Sequence, residues 1–145
     1  MSDKLLKSVS GIRGIVGKTL TPEEILKYSS AFGNYCKRGK IVLGRDTRKS
    51  GEVFKEVVLS GLLSTGCKVI DLGICPTPTV GMAVKGLRAK GGIMITASHN
   101  PAEWNGLKFF SSNGIFLDEK ECKRFYSLAE KKISYSDWNK SGVIR

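Results

Sequence analysis

Residues 40–72 read KIVLGRDTRKSGEVFKEVVLSGLLSTGCKVIDL, and their pattern decides the fold class. The run 40–44 is short, apolar and β-branched, as in a strand buried on both faces. Residues 51–65 place Val53, Phe54, Val57, Val58, Gly61 and Leu62 on one helical face and stop at Gly66. A second apolar run, 67–72, follows at once. Strand, helix and strand in so few residues predict a parallel or mostly parallel sheet covered on both faces.

The same alternation extends in both directions. Upstream, Thr21 offers an N-cap, Pro22 a first helical residue, and Glu23 and Glu24 acids in the first turn. Ile25, Leu26, Tyr28, Ala31, Phe32 and Tyr35 then recur at helical spacing until Lys37-Arg38-Gly39. Downstream, residues 77–86 predict a third helix after Pro76 and Pro78, and 92–96 a third buried strand. A short strand over 107–110 leads into a tight turn at Asn113-Gly114, after which Ile115-Phe116 is placed to return as a neighbour. Asp118 caps a fourth helix through residue 131. The expected architecture is α/β, a three-layer α/β/α sandwich on a mostly parallel, mixed sheet over residues 1–131. The polar residues 132–145 read as a linker.

Composition narrows the classes. The chain has 145 residues with 41% hydrophobic and 26% charged, near the average for a globular domain with one core. No apolar run is long enough to span a bilayer, and the lysines near the N-terminus precede no apolar h-region. Cys36, Cys67, Cys75 and Cys122 are scattered, with no metal-ligand spacing. A cytoplasmic protein without a membrane partner is expected. The formal charge of +11 suits an anionic ligand. A nucleic-acid partner would produce the same bias, yet no RNP, zinc-finger or basic-zipper pattern is present, so none is expected. Gly11 through Gly17-Lys18-Thr19 approaches a phosphate-binding P-loop, but its glycine spacing is one residue too long.

In parallel sheets, ligands bind beyond the carboxyl ends of strands, which directs attention to the loops after 44, 72 and 96. Thr96-Ala97-Ser98-His99-Asn100-Pro101 places a hydroxyl and the only histidine in a turn that proline keeps from continuing as strand. Taken alone, those residues could equally cap backbone groups. As a nucleophile, Ser98 needs a proton acceptor and nearby cations; His99 is adjacent and Lys108 lies on the next strand.

The longer string TASHNPAEWNGLK, residues 96–108, resembles the active-site loop of the α-D-phosphohexomutases, T-[AG]-S-H-N-P followed by N-G-x-K. Ser10-Gly11-Ile12-Arg13-Gly14 and Gly44-Arg45-Asp46-Thr47-Arg48 resemble two further elements of that family in the same order. The likeness runs from about residue 8 to 142, with Val9 where many members have threonine and Lys49 standing between Arg48 and Ser50 in the common R-x-S pattern. It implies the N-terminal domain of a phosphoglucomutase, phosphomannomutase or phosphoglucosamine mutase, with a hexose phosphate as substrate. Ser98 would carry the phosphoryl group and hold Mg²⁺ through it. Lys108, His99 and Arg13 would move the proton and balance charge, with Thr96, Asn100, Asn105, Arg45 and Arg48 supporting the loop. It also implies further domains in the same polypeptide supplying the other metal ligands and the wall for the sugar, so the chain alone is expected to be inactive. Asp46 is expected to orient an arginine or cap residues 50–51, and Trp104 to cover the loop.

Overall fold

The computed structural model describes residues 4–145. Among them, a seven-stranded sheet carries four helices. The strands are β1 (Leu6–Ser8), β2 (Gly11–Ile15), β3 (Lys40–Arg45), β4 (Lys68–Ile74), β5 (Gly91–Ile95), β6 (Trp104–Ser111) and β7 (Val143–Ile144). The helices are α1 (Pro22–Tyr35), α2 (Ser50–Ser64), α3 (Thr77–Gly86) and α4 (Glu119–Ala129). Sheet order is β1-β2-β6-β5-β3-β4-β7. Strands β5, β3, β4 and β7 are mutually parallel, whereas β6, β2 and β1 join antiparallel, so the sheet is mixed.

Period-two alternation sorts side chains between two cores. Ile41 and Leu43 of β3, Ile93 and Ile95 of β5, and Leu107 and Phe109 of β6 enter the larger core beneath α1, α2 and α4. Val42, Met94 and Phe110 project the other way and meet Val80 and Val84 of α3. The expected three layers are therefore present, with three helices on one face and one on the other.

The helix starts follow the residues that encode them. Thr21 accepts from the Glu24 amide at 3.4 Å. Asp118 and Glu121 form a reciprocal capping box, each side chain accepting the other's backbone N–H at 2.7 and 2.8 Å.

Three regions differ from the sequence-based expectation. The hairpin β1–β2 leaves no clear strand pattern in the sequence, because its strands are short, with two glycines in β2. Ile115-Phe116 makes only an isolated antiparallel bridge, Phe110 to Phe116, before the chain turns into the Asp118 cap. Residues 132–145, whose polarity reads as a linker, lie against the domain. Asn34 exchanges two hydrogen bonds with the Ser134 backbone at 2.9 Å, Ser136 N–H reaches the Ser64 carbonyl, and β7 extends the sheet along β4. Backbone bonding rather than an apolar pattern holds this segment, so periodicity does not reveal it.

Candidate active site

The carboxyl ends of β3 and β5 open side by side, with Arg45 and Ile95 paired in register. The loop after β5 carries Thr96 to Pro101 and returns through β6. A glycine in this region allows two backbones to approach. At Gly106, the centre of the N-G-x-K segment, an added Cβ would strike the Ile12 carbonyl and Arg13 Cγ, so only glycine lets β2 and β6 pair here.

Ser98 is exposed and has φ 56°, a left-handed conformation that costs a residue with a Cβ about 1 kcal/mol. Its backbone is held on both sides. The Ser98 N–H donates to Thr96 Oγ1 at 2.9 Å, and the Ser98 carbonyl accepts from Arg48 Nη2 at 3.1 Å. Arg48 spans the loop, its guanidinium also donating to the carbonyls of Asn100 (2.7 Å), Pro101 (2.7 Å) and Trp104 (3.0 Å). Asp46 orients that arginine, as expected: it accepts from Arg48 N at 3.0 Å, Arg48 Nε at 3.2 Å and Thr96 Oγ1 at 2.7 Å. It makes no cap for residues 50–51; the Gly51 amide bonds the Arg48 carbonyl instead.

Lys108 shares a cavity of about 440 Å³ with Ser98, lined further by Thr77, Pro78, Phe110 and Phe116. The pleat explains the placement: Lys108 pairs with Met94 and projects on the α3 face, as Phe110 does two residues on. Its Nζ sits 5.3 Å from the Phe116 ring centroid. Partial burial, helped by repulsion from Arg13, pushes the Lys108 ammonium below the usual lysine range. A lysine so placed is more readily neutral and can accept a proton.

The other expected residues divide into those brought to the loop and those kept from it. Arg13, on β2, donates Nη1 to Asn100 Oδ1 at 3.1 Å. Fully buried Asn105 donates to Ser50 Oγ at 2.8 Å and so ties β6 to the start of α2. His99 is exposed on the loop surface. Trp104 is half-buried at the start of β6, and its carbonyl serves the Arg48 fork. Arg45 lies apart from Ser98: it lines a separate hollow with Glu52, Val53 and Lys55 and reaches Glu52 Oε1 at 3.5 Å.

Sequence reasoning missed the lining supplied by Thr77, Pro78 and Phe116, although the glycine turn at 113–114 that returns Phe116 was legible. Among the described residues, no group of three or more His, Cys, Asp or Glu side chains comes together to hold a metal ion. Asp46 has both oxygens engaged by Arg48 and Thr96. No helix among these residues is long and apolar enough to cross a membrane.

An α/β/α sheet that presents a constrained, exposed serine beyond one strand end, and a half-buried lysine on the neighbouring strand facing the same cavity, has the layout of a small-ligand domain of the doubly covered type. The family model described as phosphoglucomutase/phosphomannomutase, alpha/beta/alpha domain I matches residues 4–136. The chain belongs to that family, as its domain I.

A phosphoglucosamine/phosphogalactosamine mutase from Sulfurisphaera tokodaii is 50% identical over 136 residues, 92% of this chain and 30% of that protein. A phosphoglucomutase/phosphomannomutase from Thermococcus kodakarensis is 46% identical, over 93% of this chain and 31% of its own length. The crystal structure of a phosphoglucomutase/phosphomannomutase family protein from Burkholderia thailandensis superposes with a TM-score of 0.78 at 26% identity, covering 97% of this chain and 33% of that one. The chain thus spans about 30% of the length of the curated relatives it matches.

Proposed function

We propose that this domain carries the phosphoryl group of a phosphohexomutase, with Ser98 as carrier. The substrate class is a hexose monophosphate, interconverted between its 1- and 6-phosphates through a bound 1,6-bisphosphate. Amino-sugar phosphates stand beside neutral ones in that class, because the relatives carry both names. The observation that carries this reading is Ser98 itself: exposed, held left-handed by bonds to both its peptide groups, and sharing a cavity with Lys108.

In the first half-reaction the bond between Ser98 Oγ and phosphorus breaks as a sugar hydroxyl oxygen bonds to that phosphorus. The hydroxyl proton passes to Lys108, whose depressed ammonium makes the neutral amine accessible. Exposed His99 is the second candidate for that proton. In the return half, the bond between the other phosphorus and its sugar oxygen breaks as Ser98 Oγ bonds to that phosphorus, and the sugar oxygen takes a proton back. Arg13, steadied by Asn100, adds positive charge beside the loop. Transfer of this kind depends on positioning and electrostatics, which a clamped serine flanked by cations supplies.

Mg²⁺ on an oxygen of the Ser98 phosphate would, when bound, neutralise charge at the transferring group. The remaining ligands and the wall for the sugar belong to further domains of the same polypeptide, for which the greater length of the relatives is the support. A cytoplasmic setting accords with four free thiols.

Peptide mapping by mass spectrometry tests the carrier. Protein produced with its remaining domains should carry one phosphoryl group on the peptide containing Ser98, and Ser98→Ala should lower turnover by several orders of magnitude. Phosphate found only elsewhere, or a Ser98→Ala variant near wild-type rate, refutes the assignment. The 145-residue chain alone should convert no hexose 1-phosphate in a coupled assay.

A further inference from the structure

We infer that Asp46 is the positioning residue that sets the conformation of Ser98, acting through two arms. The short arm is Thr96: its Oγ1 donates to Asp46 Oδ2 at 2.7 Å, which leaves the same oxygen free to accept from the Ser98 N–H at 2.9 Å. The long arm is Arg48: Asp46 holds its Nε and its backbone N–H, and the guanidinium holds the Ser98 carbonyl. One carboxylate therefore reaches the peptide groups on both sides of the serine.

The chemistry of the groups makes this arrangement directional. A carboxylate only accepts, so the Thr96 hydroxyl must spend its single proton on Asp46 and offers only lone pairs to Ser98. Arg48 has five N–H donors in a rigid fork, and all its described side-chain partners are oxygens: one Asp46 carboxylate oxygen and four loop carbonyls. An unfavourable φ persists only where surrounding contacts over-determine it. Here those contacts converge on Asp46, which directly follows β3 and is tied to the end of β5 by its own N–H on the Ile95 carbonyl at 3.1 Å, outside the loop it controls.

The consequence for catalysis rests on the carrier reading of Ser98. A left-handed serine with both peptide groups fixed has a fixed Cα–Cβ direction, so Oγ is aimed before phosphoryl transfer begins. Asp46 does not touch the reacting atoms.

Amide hydrogen exchange of the ¹⁵N-labelled chain, followed by NMR, isolates the effect. Thr96→Val keeps the shape and removes the hydroxyl, whereas Thr96→Ser keeps the hydroxyl. Thr96→Val and Asp46→Asn should each speed exchange of the Ser98 amide at least about tenfold, the scale of one lost hydrogen bond. Thr96→Ser should stay near wild type, and the amides of Ile93 and Met94 in β5 should not change in any variant. Should Asp46→Asn fail to fold, Arg48→Lys takes its place, since it keeps the charge but breaks the fork, and it should speed exchange at Ser98 and Asn100. Wild-type exchange at Ser98 in Thr96→Val, equal acceleration in Thr96→Ser, or uniform acceleration across β5 would each overturn the proposal.

In protein carrying its remaining domains, Thr96→Val and Asp46→Asn should lower kcat at least about tenfold with KM for hexose phosphate nearly unchanged, and Thr96→Ser should stay near wild type. A wild type that shows no Ser98 phosphate refutes the carrier reading instead, and the exchange rates still decide the role of Asp46.

Discussion

The two faces of the sheet are built to different plans. Beneath α1, α2 and α4 lies an aromatic core in which Phe125 meets Phe109, Phe32, Tyr35 and Tyr28 at ring-centroid distances of 4.6 to 6.3 Å. The opposite face has α3 alone, and its small core of Val42, Val80, Val84, Met94 and Phe110 gives way to the cavity shared by Ser98 and Lys108. The crowded face holds the fold by burying apolar area. The sparse face leaves room for a ligand, and near the loop it relies on hydrogen bonds to fixed carbonyls. A domain can keep a strained serine and an uncomfortable lysine on one side because the other side carries the stability.

Paired core truncations would break this comparison most directly. Phe125→Ala should lower unfolding free energy by about 3–5 kcal/mol in a urea titration, as removal of a fully buried ring does. Phe110→Ala should cost less, at or below about 3 kcal/mol, because its ring already borders the cavity and the site can relax into it. Equal costs would mean that the faces contribute alike.

A smaller effect is expected at the Asp118 cap of α4, a helix confined to the crowded face. Asp118→Ala removes one half of the capping box and should cost about 1 kcal/mol, with Ser98 exchange unchanged. Spread of that loss to the loop would show that the two faces are coupled.

The smallest effect, and the one that sharpens the comparison, concerns Lys108. Its folded pKa lies below the unfolded value, so the unfolded chain binds more protons in the window between them. Stability from this group is therefore lowest where the ammonium is charged in both states, and it is recovered as pH rises through the folded value toward 10.5. Lys108→Met should abolish that alkaline gain, measured as melting temperature against pH. An NMR titration should find Lys108 Nζ deprotonating below free lysine side chains, whose ordinary value is 10.5. A Lys108 that titrates with them would remove the basis for its proposed role as proton acceptor.

Much of this molecule follows from local sequence. The run 40–72 specified a strand, a helix and a parallel strand because apolar spacing and the glycine stop act over a few residues. Thr21 and Asp118 became caps because an N-cap needs only a side-chain oxygen and the amides three residues on. The loop was legible too, since TASHNPAEWNGLK places its serine, histidine and lysine at fixed separations in one short segment.

Other features were decided only when distant segments met. The β1–β2 hairpin has little apolar pattern and is fixed by pairing with β6, more than ninety residues away for Ile12 with Leu107. Arg45 and Arg48 look equivalent in sequence, yet Arg45 turns toward Glu52 while Arg48 crosses to the loop after β5. Asp46, two residues away, steadies Arg48, but which loop that guanidinium reaches is not local. The parallel register of β3 and β5 brings the loop carbonyls within reach of one guanidinium and not the other. The left-handed Ser98 has the same origin: its sequence permits a turn, but a carboxylate and a guanidinium from the end of a neighbouring strand select this one. Sequence determined the elements and the reactive residue types, through interactions that act within a turn or two. Tertiary structure determined which of those residues share a site, because hydrogen bonds between strands form only once the sheet has set their distance.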